Sequence, residues 1–183
     1  MTTQHKPVPG LAPATLSQAQ ALGLAERLGA ALQRRGLIVG TAESCTGGLL
    51  AGAITAVAGS SVWFERGFVT YSNVAKVTEL GVSADTLDRY GAVSEETALE
   101  MANGVLLASP DVHIAASTTG IAGPGGATSG KPVGMVCFGF AIRGADGITS
   151  RAATQVFEGN RQQVRAASVA FALRTALEII RPC

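Results

Sequence analysis

Leu37-Ile38-Val39-Gly40-Thr41-Ala42-Glu43-Ser44-Cys45-Thr46-Gly47-Gly48-Leu49-Leu50 is the stretch whose reading decides the fold. Its first half, Leu37 to Glu43, reads as a buried strand. From Leu49 to Val57 small and apolar residues read as a buried helix. A hydroxyl and a thiol therefore sit at a strand-to-helix turn, close to backbone N–H groups that can stabilise negative charge. That placement suits a nucleophile attacking a carbonyl, and it suits a phosphate cradle equally well.

Outward from this turn, helix and strand alternate. Leu16 to Arg35 has helical apolar spacing (Ala21, Ala25, Leu28, Leu32), and Gly36 follows as a stop. Trp63 to Ser72 is strand-like, and Asn73–Leu80 and Ala84–Tyr90 read as two short helices. Ser94, followed by Glu95 and Glu96, reads as the capped start of a helix that runs to Ala108. Val112–Thr119 is another strand. Val133–Ile142 and Ile148–Phe157 form a strand pair joined at Gly144-Ala145-Asp146-Gly147, and Asn160–Ile180 is a closing helix. This order predicts a three-layer α/β domain whose sheet is mostly parallel with one antiparallel member. Residues 1–15, with three prolines and little periodicity, are expected to be a flexible tail, and 16–183 a single domain.

Bulk composition narrows the function classes. In 183 residues, 47% are apolar and 15% charged, so the chain can bury a core of one domain. Aromatics are only 5% while glycines number 23, which predicts close backbone packing. A net charge of +1 argues against a nucleic-acid partner bound through a basic face. The longest apolar run, Leu49–Val62, is short and broken by Gly52 and Gly59, so no membrane span is expected, and no secretory signal is read. Cys45, Cys137 and Cys183 form no CxxC pair, which disfavours zinc and fits a cytoplasmic location. No metal or cofactor is expected.

His5 and His113 are the two histidines, and neither is well placed for a triad, so Ser44 needs another base. Lys76 follows Tyr71-Ser72-Asn73 at a strand end. Desolvated there, its amine can accept the serine proton, with Tyr71 relaying that proton or holding the lysine. The alternative is a solvated helix lysine and an ordinary strand tyrosine. Cys45 is a rival nucleophile but reads better as a small buried hydrophobe. Glu43 can contact a substrate ribose, orient Lys76, or close a strand end. Thr46, Gly47 and Gly48 can supply oxyanion-stabilising amides, each typically worth ~3 kcal/mol. Gly120-Ile121-Ala122-Gly123-Pro124-Gly125-Gly126 matches neither common nucleotide loop, yet its glycines permit close backbone approach to an anion or a planar group. Lys131 and Arg161 are the cations available for a phosphate.

These motifs together resemble the CinA C-terminal family, the nicotinamide-nucleotide amidohydrolases. The resemblance is carried by Ala42–Gly48, Gly59–Gly67, Tyr71-Ser72-Asn73, Gly91-Ala92-Val93-Ser94, Gly120–Pro124 and Lys131-Pro132-Val133-Gly134, and spans Leu16 to Ile180. It implies a three-layer α/β/α fold with a mixed five-stranded sheet. It also implies hydrolysis of the carboxamide of nicotinamide mononucleotide, giving nicotinate mononucleotide and ammonia. The nucleophile implied is Ser44, assisted by Lys76 and Tyr71. Substrate contacts are expected from Glu43, Thr46, Gly47, Gly48, Asn73, Thr119, Gly120, Ile121, Ala122, Gly123, Lys131 and Arg161. A homodimer is expected from the resemblance alone. Two departures stand out: Asn160 where the family commonly has Asp before Arg161, and Met135 in place of a smaller polar residue. The larger domain that precedes this module in longer relatives is absent from the sequence, so no pyrophosphatase activity is expected. The competing expectations are a non-catalytic nucleotide-binding module and an amidase for another amide. Ammonia release separates the first from an enzyme, and removal of the substrate phosphate separates the second.

Overall fold

The structure is a computed structural model describing residues 18–180. The expected tail, His5, Lys6 and Cys183 lie outside the described residues. Six helices and five strands follow one another as α1 (Gln18–Arg35), β1 (Val39–Glu43), α2 (Leu49–Thr55), β2 (Phe64–Val69), α3 (Asn73–Leu80), α4 (Ala84–Tyr90), α5 (Glu95–Ala108), β3 (Ile114–Gly120), β4 (Met135–Gly144), β5 (Gly147–Val156) and α6 (Arg161–Ile179). A 3-10 turn, Ser60–Val62, leads into β2.

Local chemistry explains most of the boundaries. Ser72 and Ser94 cap α3 and α5 by accepting from the amides of Ala75 and Thr97. Asn160 starts α6 with a capping box: its Oδ1 accepts from Gln162 and Gln163 amides while Gln163 Oε1 accepts from the Asn160 amide. Asn160 thus preserves the cap, as expected for Asn in place of Asp. Gly36 closes α1 at φ 62°.

The sheet order is β2-β1-β3-β4-β5, with β1 parallel to both neighbours and β4 antiparallel to β3 and β5. Four strands therefore run one way and β4 alone the other, the mixed arrangement expected. Helices α1, α2 and α6 cover one face, where Leu28, Leu32, Trp63, Phe138, Phe140 and Leu173 are buried together. Helices α3, α4 and α5 cover the other, around Leu80, Met101, Val105, Leu106 and Val112. Full burial of each such Leu contributes about 1.5–3 kcal/mol. The pleat divides β3 between the two: Ile114 and Ala116 face the first core, Ala115 the second. Scarce aromatics are offset by close backbone approach. A Cβ on Gly139 would lie 2.1 Å from Ala98 O, so α5 rests directly on β4. Ser117 Oγ completes that contact, donating to Ala98 O and accepting from the Gly139 amide.

Because β1, β2 and β3 are parallel, Ser44, Thr70 and Gly120 leave the sheet at the same end. The start of antiparallel β4 and the link from β5 to α6 reach that end as well. In open α/β sheets this is the end where ligands bind.

Candidate active site

Glu43 is the last residue of β1 and is fully buried. Its Oε2 accepts from the amides of Gly48 and Leu50 at 3.0 Å each, and its Oε1 from Ala51 at 2.8 Å. The carboxylate thus occupies the N-terminal turn of α2 and satisfies three of the amides that a helix start leaves unpaired. The sequence reading left Glu43 a substrate ribose, Lys76 or a structural place at the strand end. Here all three of its hydrogen bonds go to the chain's own backbone. To reach them the loop doubles back through Gly47 at φ 55° and Gly48 at φ 90°.

That loop presents Ser44. The Ser44 amide donates to Thr118 O (2.9 Å), and its carbonyl accepts from the Gly47 amide (3.0 Å). Thr46 Oγ1 and Thr118 Oγ1 share a 2.7 Å hydrogen bond that ties the loop to β3. Gly47 and Gly48 amides are consequently engaged within the protein, and the Thr46 amide has no acceptor among the described residues. Of the three amides expected to serve an oxyanion, Thr46 alone is uncommitted.

Lys76 lies in the second turn of α3, 1% exposed, with Nζ 3.1 Å from Ser44 Oγ and donating to Thr70 O at 2.8 Å. Burial pushes its pKa down, opposed only by the nearby Cys45. The solvated-lysine alternative does not hold in this structure. A neutral Nζ would keep its bond to Thr70 O and turn its lone pair to the Ser44 hydroxyl proton. Cys45, 5% exposed beside them, has its thiol pushed up to about 12, chiefly by burial. It is a buried small residue, as read from the sequence, and not a thiolate.

Tyr71 stands apart from this pair. It is 60% exposed and its hydroxyl accepts from Arg161 Nη2 at 2.7 Å. Arg161 Nη1 donates to Gly123 O at 3.0 Å, so Tyr71, Arg161 and the Gly120–Gly126 loop are joined. Asn160 contacts only its own helix turn, and Arg161 takes its orientation from Tyr71 and Gly123 instead. Asn73 is exposed at the first position of α3.

The glycine loop has more structural cause than the sequence suggested. A Cβ on Gly120 would meet Met135 O at 2.6 Å, the carbonyl that also accepts from the Ile121 amide. Ala122 and Gly123 are buried. Thr119 Oγ1 donates to Ala92 O at 2.6 Å, which spends its proton away from the serine. Lys131 Nζ donates to Tyr90 O and so caps the end of α4. Met135, the other departure, opens β4 and leaves its backbone to this loop.

Sequence reasoning passed over Arg165. It lies four residues beyond Arg161, on the same face of α6, and its Nη2 donates to Thr46 O at 2.7 Å. The i, i+4 spacing of the two arginines was the available signal. Thr70 and Thr118 were also missed, and only the folded sheet shows that they face the serine loop.

The fold and site thus define a three-layer α/β/α domain in which a buried lysine amine meets a serine hydroxyl at the carboxyl end of parallel strands. The chain belongs to the CinA C-terminal domain family, whose profile matches residues 21–180. It is 54% identical over 154 residues to the nicotinamide-nucleotide amidohydrolase PncC of Enterobacter agglomerans, covering 84% of this chain and 92% of that one. It is 50% identical over 160 residues to the protein of the same name in Escherichia coli (strain K12), covering 87% and 94%. Among solved structures, the competence/damage inducible protein CihA from Agrobacterium tumefaciens superposes with a TM-score of 0.81 at 42% identity, over 94% of this chain and 100% of that one.

Proposed function

We propose that this chain hydrolyses the carboxamide of nicotinamide mononucleotide to nicotinate mononucleotide and ammonia, with Ser44 as nucleophile and Lys76 as its base. The observation that carries the reading is the 3.1 Å approach of a 1%-exposed lysine amine to Ser44 Oγ. Relatives that share half of the sequence bear the name of this activity.

Ser44 Oγ attacks the carboxamide carbon as its proton passes to neutral Lys76 Nζ. The resulting oxyanion is assigned to the Thr46 amide, an uncommitted donor of the loop. Collapse of the intermediate breaks the C–N bond, Lys76 returns the proton to the leaving nitrogen, and ammonia departs. Water then adds to the Ser44 ester, its proton taken by Lys76, and nicotinate mononucleotide leaves with Ser44 restored. The phosphate is assigned to the side of Arg161, which has no carboxylate in ion-pair range among the described residues. Tyr71, tied to Arg161, is assigned to substrate positioning in preference to the proton relay. Cys45 and Cys137 are free thiols, consistent with a cytoplasmic enzyme.

The test is ammonia release from nicotinamide mononucleotide by the wild-type protein, Ser44→Ala and Lys76→Ala. Wild-type turnover falling on the order of 10⁴-fold in each variant supports the reading. Nucleotide binding without ammonia release would favour the non-catalytic module. Equal turnover of free nicotinamide would remove the phosphate from the argument.

A further inference from the structure

We infer that Arg165 is a positioning residue for the nucleophile loop, holding the Thr46 carbonyl so that Ser44 and the free Thr46 amide keep their mutual geometry. The inference rests on the amidohydrolase reading for its kinetic consequence but not for its structural one.

The loop from Ser44 to Gly48 has two backbone faces, and each is gripped by a charged side chain. Glu43 takes the amides of Gly48, Leu50 and Ala51. Arg165 takes the carbonyl of Thr46, reaching from the second turn of α6, which packs in the same layer as α2. Contact is close: a Cβ on Gly47 would lie 3.1 Å from Arg165 Nη2, so the guanidinium packs directly on the glycine backbone.

Two further facts argue against Arg165 as an ordinary surface charge. Its Nε is buried without an acceptor, a cost that proteins seldom accept unless the group is held for another purpose. Among the described residues it has no carboxylate in ion-pair range, so its full charge remains beside the loop. The two arginines also differ in what is left for a ligand: Arg165 is half-buried with Nη2 spent on the Thr46 carbonyl, which leaves phosphate contact to a more exposed neighbour. Arg161, one turn earlier and exposed, fits that task. One helix face thus divides the labour, with Arg161 towards the substrate and Arg165 towards the nucleophile.

The experiment compares Arg165→Gln and Arg165→Lys with wild type and with Arg174→Gln, which removes a charge from an exposed position of α6. Steady-state kinetics on nicotinamide mononucleotide, amide hydrogen exchange of residues 45–48 and the melting temperature are measured on each. Arg165→Gln should lose about 100-fold in kcat with KM within about threefold, because a misplaced nucleophile loses near-attack geometry and not binding. Exchange at Thr46–Gly48 should quicken about tenfold. Arg165→Lys should recover part of both losses, and Arg174→Gln should lose neither. A raised KM with kcat intact would overturn the inference and make Arg165 a substrate contact. Unchanged exchange and kcat would overturn it outright. If the wild-type protein releases no ammonia, the amidohydrolase reading fails, and loop exchange alone decides the role of Arg165. If the Gln variant does not fold, Arg165→Lys supplies the same comparison.

Discussion

Substituting Glu43 tests whether this carboxylate belongs to the substrate or to the fold. It is fully buried and accepts three backbone hydrogen bonds, from Gly48, Leu50 and Ala51. Glu43→Gln keeps the shape but has one acceptor oxygen. With that oxygen in the Oε2 position, the Gly48 and Leu50 bonds survive as neutral ones, each weaker by about 1 kcal/mol. The new NH₂ then faces the Ala51 amide, leaving two donor groups unsatisfied at about 1–3 kcal/mol each. The sum predicts a loss of about 4–8 kcal/mol, a large part of the roughly 5–15 kcal/mol that holds a domain together. Glu43→Ala, which strands all three amides, is expected not to fold at 37 °C or thereabouts. The assay is urea unfolding followed by far-UV circular dichroism, read as a shift in midpoint at constant slope. A Gln variant within about 0.5 kcal/mol of wild type that has nonetheless lost turnover would refute this reasoning, because surface-like tolerance is not what a buried triple acceptor allows. The sequence-based assignment of Glu43 to substrate would then be restored.

Two further outcomes follow from the buried pair beside it. Lys76→Met should abolish turnover yet raise stability at neutral pH by about 0.5–2 kcal/mol. Burial lowers the folded pKa of Lys76 below its ordinary 10.5, so between those values the unfolded chain binds more protons and wild-type stability climbs with pH. The advantage of Met should therefore be largest in acid and shrink towards alkaline pH, as urea midpoints at about pH 6 and about pH 9.5 will show. A Met variant less stable than wild type in acid would contradict the desolvation argument. Cys45→Ala should keep kcat within about threefold, and native Cys45 should resist iodoacetamide at about pH 8, since its thiol is buried and pushed up to about 12. Rapid alkylation with loss of turnover, measured by mass spectrometry beside the assay, would make it the nucleophile instead.

What was legible in the sequence was largely what depends on neighbours in the chain. The helices Asn73–Leu80 and Ala84–Tyr90 have the bounds read from the sequence, the first opened by the Ser72 cap and each followed by a glycine, Gly81 and Gly91. The Gly144–Gly147 turn joins β4 to β5 because the two glycines pair at the ends of the strands. By contrast, β1 starts at Val39 and not at Leu37, because sheet pairing begins only where the Val39 amide reaches Trp63 O. Long-range partners explain the remaining differences. Lys76 was suggested by its place at a strand end, but its burial against Ser44 depends on how α3 turns over β1. Glu43 could serve a substrate or the strand end by sequence, and the choice depends on a loop that folds back onto its carboxylate. Tyr71 and Lys131 carry the right chemistry, yet the structure gives one to Arg161 and the other to a helix end. Arg165 was readable by its spacing from Arg161, but its partner is a backbone carbonyl 119 residues away.

The two sides of the serine loop are built on opposite principles, and that contrast explains how a lysine can serve as base here. Glu43 is buried with three backbone N–H donors directed at its two oxygens, so its hydrogen-bonding capacity is met by the fold. Lys76 is buried almost as fully, but with one carbonyl and one hydroxyl as partners and no carboxylate in ion-pair range among the described residues. Three ammonium protons cannot all be satisfied by two acceptors, so the charged form is the poorly accommodated one. A carboxylate placed near Lys76 would stabilise the folded protein and at the same time hold the amine protonated, removing the lone pair that Ser44 needs. The destabilising burial of Lys76 and its fitness as a base are therefore one property. A variant that introduces an acidic partner beside Nζ should gain stability at neutral pH as it loses turnover, with the pH–rate profile moving to more alkaline values. Stability and turnover rising together would break that link.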